Sequence, residues 1–523
     1  MSTIEASEPR SRAWPRPTPR RWLGGSLLLL ILLRVPTWFE PHWYTDEAGY
    51  ANTAYLSTHG KILYLTVWNN KPPLLFWIYD LALSWFGPSE LGLHLLSTLA
   101  AALTMVAIWL IVRENWESRG VGLTMVLAAL LLGLPLLGAD LALPENFLIL
   151  PEAWAMLLVL RVLRDDPGRR RARLELAAGV LFGAACLIQQ TALAPFLAAA
   201  LLLAVLPRRG AVAGAGRLLL GGAVIVAAGI TPYLFWAGPS HVYFFLVSSF
   251  GGYTSRTLPL SFLTLAPRAA TAILLFGGVV AARRRDPRSV ALWLWLGVDL
   301  LTYVLPNRPY PFHMLPAAVP LALVVGRLSQ LSWARIRSGL SLYPLVAGAL
   351  GGAVLWGILM ATYLPIDDFY TAPRSVLYYP VFVGRATGLV SKSQYQDFYD
   401  LRVRAEAEAG AWIRAHHLQG ARTVVWSADS WAYLLVPVSS VMPAPPIYKD
   451  FDWLGQAGLI RRTVQQRPEL ILVTNDALNA YGPLQPILNR SYTKVQTSSY
   501  GSLWLRDSAL QQVGRQGSSP GAP

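Results

Sequence analysis

The sequence predicts a polytopic α-helical membrane protein that ends in a small α/β domain outside the bilayer. Three observations predict it. Of the 523 residues, 54% are hydrophobic and only 14% charged, where soluble domains carry about a quarter charged; the mean hydropathy is +0.40. Apolar runs of the length a helical crossing needs, about 20 residues, recur through the first two thirds of the chain. Arginine collects in alternate loops between those runs, the bias that keeps positive loops in the cytoplasm.

The candidate crossings are roughly 22–37, 91–112, 121–138, 145–163, 174–190, 191–207, 218–237, 264–282, 289–305, 311–328 and 339–363, about 11 transmembrane helices. The basic N-terminal flank, 1–21, reads as a cytoplasmic tail, and the first apolar stretch as a retained helix rather than a cleaved signal. With that tail inside, loops 113–120, 164–173, 208–217, 283–288 and 329–338 fall inside and hold most of the arginines of the stretch 22–363. Loops 38–90, 139–144, 238–263 and 306–310 fall outside and hold only Lys61, Lys71, Arg256 and Arg308. Counting 73–87 as a crossing scrambles this pattern, so that aromatic, amphipathic stretch is read as interfacial. The net charge of +15 is then topology, and nucleic acid is excluded as a partner. Cys186, the single cysteine, permits no internal disulfide.

Beyond the transmembrane domain, 22–363, the pattern changes. Residues 364–507 alternate short apolar and polar runs: helix at 402–417, strand at 422–427, helix at 452–466, strand at 469–474 and a closing hairpin at 491–506. This is the extracytoplasmic α/β domain. The tail, 508–523, is rich in Gly, Ser and Pro and reads as disordered.

Polar chemistry concentrates in outer loop 38–90. Asp46 and Glu47 stand just past the first helix, and Ala48, Tyr50, Ala51, Ala54 and Tyr55 follow at helical spacing, as in a surface-lying helix. Lys71 precedes Pro72-Pro73, a helix-opening pair. An acid here can deprotonate an acceptor and a lysine can meet a phosphate; capping and snorkelling would equally account for them. A second acidic site, Asp140 and Glu145, lies in the next outer loop, where acids at membrane depth are costly unless they serve a site; capping and the helix dipole are the plainer roles. Glu152 lies deeper, as an interhelical partner. Arg308, Tyr310 and His313 stand at the mouth of a later helix, and Arg256 lies among aromatics of loop 238–263. Outer cations against the prevailing bias suit an anionic ligand such as a phosphate.

Together these pieces resemble the GT-C glycosyltransferases of family 39 and its relatives, which include bacterial aminoarabinose transferases and protein O-mannosyltransferases. The resemblance rests on Asp46-Glu47 with Tyr50, on KPPLLFW at 71–77, on Phe-Gly-x-Ser-Glu at 86–90, and on NRPYPFH at 307–313, and it spans about residues 20–330. It implies a GT-C-like fold in the inner (plasma) membrane. It also implies a polyprenyl-phosphate-linked sugar donor and an inverting hexosyl or pentosyl transfer, on the extracytoplasmic side, to a lipid, protein or glycan. By motif, Asp46 matches the catalytic acid, Glu47 its neighbour, Lys71 the lysine at the lipid phosphate, Asp140 or Glu145 the second-loop acid, and Arg308 and His313 the late outer motif. Some relatives use a divalent metal, Mg or Mn, and some do not; the sequence contains no complete ligand set. Two departures bear on sugar and acceptor: Gln189-Gln190 where relatives often carry lysine, and His94 where an arginine often stands. The competing classes are a transporter or flippase of a lipid-linked or anionic substrate, and an assembly protein. A transporter explains the helices but not the acidic outer loop or the outer domain, and the paired halves common in transporters are missing.

Overall fold

The computed structural model describes residues 19–115, 120–164, 167–206, 209–249, 286–304, 310–337, 372–436 and 438–510. The expected crossings at 264–282 and 339–363, and the tail from 511, lie outside the described residues. Helix α1 is Pro19–Arg34, α2 Thr45–Thr58, α3 Pro73–Phe86, α4 Glu90–Asn115, α5 Val121–Gly133 and α6 Pro144–Val162. Helices α7 Arg169–Ile188, α8 Leu193–Val205, α9 Ala211–Trp236 and the short α10 Pro239–Tyr243 follow, then α11 Pro287–Val304 and α12 Leu315–Arg337. The remaining predicted crossings all fall on these helices. Arg20–Phe39, Glu90–Asn115, Ala211–Trp236 and Pro311–Gln330 are long and apolar enough to cross a membrane. Helix α6 carries three charged groups, Glu145, Glu152 and Arg161.

The bundle packs α7 against α6 and α9, α4 against α6, and α1 against α5. Glycine sets the closeness of α7 and α9: a Cβ at Gly179 would lie 2.0 Å from the Leu218 carbonyl oxygen, and one at Gly221 2.3 Å from that of Leu176. Helix α3 buries Leu75, Phe76, Tyr79 and Ala82 and exposes Trp77, Leu81 and Trp85, the two-faced pattern of an interfacial helix.

Helices α13 Ala372–Ala386, α14 Lys392–Tyr399 and α15 Leu401–Ala415 open the C-terminal region. A five-stranded sheet follows, in the order β2-β1-β3-β5-β4, built from β1 Arg422–Trp426, β2 Ser439–Ser440, β3 Leu470–Thr474, β4 Tyr492–Thr497 and β5 Gly501–Arg506. Strand β1 is parallel to β2 and β3, and β5 runs antiparallel to β3 and β4. Helices α16 Ala432–Leu435, α17 Ile447–Gln466 and α18 Gln485–Ser491 complete it. The predicted strands and hairpin match β1, β3, β4 and β5. The two-residue β2 and the four-residue α16 are too short to leave a periodic signal.

One cluster of buried residues runs from the membrane helices into this region, joining Trp43, Tyr50, Tyr79 and Phe147 to Tyr378, Tyr399 and Trp431. This corrects one expectation. Helix α2 is not surface-lying; it is enclosed, with every residue from Glu47 to Ala54 buried. Its small residues let the C-terminal chain press on it: a Cβ at Gly49 would meet Pro446 Cδ at 2.8 Å.

Candidate active site

The acids of α2 have no capping role. The N-cap is Tyr44, in extended backbone, with no side-chain cap hydrogen bond. Asp46 is half-buried and its Oδ1 accepts a hydrogen bond from the Tyr448 hydroxyl at 2.6 Å. Glu47 turns the other way into full burial. It accepts from the Ala142 backbone N–H and lies 3.3 Å from His94 Nε2, while His94 Nδ1 meets the Thr37 carbonyl at 2.5 Å. His94, a departure in the sequence, is thus the fixed partner of Glu47.

Glu145 opens α6, whose N-cap, Leu143, also makes no side-chain cap. Its Oε1 is held by His313 Nδ1 at 2.8 Å and by Gln189 Nε2 at 2.8 Å. Its Oε2 is buried with no hydrogen-bond partner among the described residues. Gln189, the second departure, is therefore a ligand of the second acid. Its neighbour Gln190 donates to the Asn70 carbonyl at 2.6 Å, which ties the chain just before Lys71. The Lys71 backbone is fixed from both sides: its N–H donates to Asn69 Oδ1 at 3.3 Å and its carbonyl accepts from the Tyr64 hydroxyl at 2.8 Å. The Lys71 charge acts on Glu145 and on Lys449.

Tyr50 lies in the same space, fully enclosed; burial and then the Asp46 charge push its hydroxyl well above the ordinary tyrosine range. Tyr310 stacks on Phe312 at 5.3 Å and meets His313 edge-on. The Asp140 charge acts on Arg34 and on Glu40. Arg34 is buried and donates to the Leu132 carbonyl, Ser97 and Asn146. Glu40 accepts from Tyr378 and Trp43, and burial followed by the Asp140 charge pushes its carboxyl up to about 8. The two acids expected as one second site therefore serve different surroundings. Glu152 accepts from Trp295 Nε1 at 2.5 Å, the interhelical contact expected of it. Arg256 and Arg308 lie outside the described residues. Among the described residues, no group of three or more His, Cys, Asp or Glu is placed to hold a metal ion.

Sequence reasoning missed Tyr448 and Lys449, which α17 brings to Asp46. Lys449 Nζ lies 4.9 Å from the Tyr50 ring centre. Their signal, an aromatic and a cation after Pro445-Pro446, resembles any helix start, and only the tertiary fold carries it to α2.

Residues 70–236 match the family described as Dolichyl-phosphate-mannose-protein mannosyltransferase. The chain is 27% identical over 428 residues to the undecaprenyl phosphate-alpha-4-amino-4-deoxy-L-arabinose arabinosyl transferase of Pseudomonas aeruginosa, covering 74% of each. In fold it is similar to the ArnT protein of Cupriavidus metallidurans, crystallised with undecaprenyl phosphate, at a TM-score of 0.59 and 17% identity over 93% of this chain and 97% of that one. It is also similar to the oligosaccharyltransferase of Archaeoglobus fulgidus, at a TM-score of 0.52 and 12% identity over 92% of this chain and 74% of that one. The resemblance to GT-C glycosyltransferases is borne out: the protein is a membrane glycosyltransferase, similar in sequence and fold to those of the GT-C type. Within that class the likeness is to the aminoarabinose-transferase type. The transporter reading finds no support.

Proposed function

We propose that this protein moves a sugar from a polyprenyl-phosphate donor to an acceptor on the outer face of the inner membrane, with inversion at the anomeric carbon, and that Asp46 is the base. The observation that carries the assignment is the contrast within one helical turn. Glu47 is fully buried and spends its oxygens on Ala142 and His94, whereas Asp46 is half-buried and is held through one oxygen by Tyr448. A carboxylate fixed on one oxygen and open on the other can take a proton from an incoming hydroxyl or amine.

In the step itself, the acceptor oxygen or nitrogen bonds to the anomeric carbon as the bond from that carbon to the phosphate oxygen breaks. The acceptor proton passes to Asp46, and the electron pair leaves with the polyprenyl phosphate. Lys71 holds the phosphate charge, with Arg256 and Arg308 as its sequence-assigned companions. A phosphate leaves readily without a general acid. Glu145, locked by His313 and Gln189, positions the opposite wall, and Glu47 fixes the turn that carries Asp46. The arginine bias supports an outward site, with the C-terminal domain, 364–507, on the same face.

The test is release of undecaprenyl phosphate from undecaprenyl-phosphate sugars by the purified full-length protein. Stimulated release in the presence of an outer-membrane glycolipid, glycan or protein fraction is the expected result. No consumption of any such donor, with the protein folded, would overturn the proposal. Reporter fusions at 115, 168, 212 and 286 should read cytoplasmic and one after 363 extracytoplasmic; a cytoplasmic reading at 363 would remove the outward site.

A further inference from the structure

The C-terminal region does more than cover α2. Asn52 Nδ2 donates to the Ser430 carbonyl at 2.8 Å, the Trp68 backbone N–H donates to the Pro443 carbonyl at 2.8 Å, and Gly49 admits Pro446. These three contacts seat the first turn of α17 against the turn holding Asp46. Tyr448 reaches the Asp46 carboxylate from there. Lys449 is 7% exposed, and among the described residues its ammonium makes no ion pair. Its near neighbours are aromatic faces, Tyr50 at 4.9 Å and Tyr448 at 5.9 Å. The charges that act on it are the carboxylates of Asp46 and Asp452, from beyond ion-pair distance, and the opposing cation of Lys71. A buried ammonium without a paired carboxylate is costly. Lys449 and Lys71 are two cations on the Asp46 side that make no ion pair among the described residues, an arrangement that suits an incoming anion.

We propose that Lys449 is a second cation for the phosphate of the polyprenyl-phosphate donor, meeting it opposite Lys71, and that Tyr448 is the residue positioning Asp46 beside it. This rests on the glycosyltransferase reading and extends it: the C-terminal region completes the active site. The electrostatics agree. Burial is the main influence lowering the Lys449 ammonium from 10.5 to about 8, with Lys71 adding to it and Asp46 opposing it. A bound phosphate would restore its charge.

The experiment measures binding of sugar-free undecaprenyl phosphate in detergent to the full-length protein, with undecaprenol as the uncharged control. Lys449→Met should weaken Kd about 10- to 100-fold, the size of one lost charge-assisted hydrogen bond, while melting no lower than wild type without ligand. Lys449→Arg should recover part of the loss. Wild-type affinity should fall as pH rises through about 8, because the deprotonated amine no longer attracts the phosphate, and Lys449→Arg should hold its affinity there. Wild-type-like binding by Lys449→Met, or an alkaline fall unchanged in Lys449→Arg, would overturn this assignment and leave the transferase reading standing. Wild type binding undecaprenyl phosphate no better than undecaprenol would sink both.

Discussion

Asp46 and Glu47 share a helical turn and differ in everything around them. The Glu47 side is closed: a backbone N–H, a buried histidine and a short link to the Thr37 carbonyl fill it. The Asp46 side is open: a tyrosine holds one oxygen, and two lysines and an orphaned Glu145 oxygen share the space. Fully satisfied polar networks specify a fold, whereas a buried polar atom without a partner calls for an explanation, of which a catalytic role is one. On the proposed reading, one turn of α2 holds a structural acid beside a chemical one.

Breaking the closed side should show the larger effect on stability. Glu47→Ala leaves His94 without its partner, and losing one member of a buried pair costs about 3–5 kcal/mol. A melting temperature in detergent well below wild type is expected; unchanged stability would mean that the closed side is no support at all. On the open side, Lys71→Ala should raise the donor KM by about 10- to 100-fold, since a hydrogen bond to a charged group is worth about 1.5–3 kcal/mol. Its deficit should shrink as donor concentration rises, whereas a kcat loss with unchanged KM would move Lys71 away from the phosphate. Glu145→Gln sharpens the comparison. It keeps a carbonyl oxygen for Gln189 but removes the charge facing Lys71, so a change in donor KM without loss of melting temperature is expected. Tyr448→Phe should give the smallest effect, about 0.5–1.5 kcal/mol for one hydrogen bond, read as a several-fold fall in kcat at constant donor KM. A shift in donor KM instead would place Tyr448 at the phosphate.

The sequence and the structure agree where the signal is local. Periodicity and charge bias located the helices from α1 to α12 apart from the five-residue α10, with some ends displaced by up to about two turns, and alternation located β1, β3 and the β4–β5 hairpin. Asp46 and Lys71 stood out in the polar outer loop, and Glu145 because charged groups are costly at membrane depth. What depends on tertiary contact was not legible. Nothing local tells Glu47 from Asp46, because burial separates them. Nothing ties Gln189 to Glu145 across 44 positions, or Tyr448 to Asp46 across 402. Enclosure of α2 escaped for the same reason: its Ala and Gly residues make close approach possible, but the chain that approaches lies in another part of the sequence.

The central claim is that Asp46 takes the acceptor proton. The measurement that tests it most directly is undecaprenyl phosphate release by Asp46→Asn at saturating donor, with sugar-free undecaprenyl phosphate binding measured on the same preparation. Asparagine keeps the size of the side chain and an oxygen for Tyr448, but an amide cannot accept a proton at neutral pH. Turnover should fall about 10²–10⁴-fold, the usual contribution of a positioned base, with binding and melting temperature close to wild type. Near-normal turnover in Asp46→Asn would contradict the account and move the base to Glu145 or Asp140.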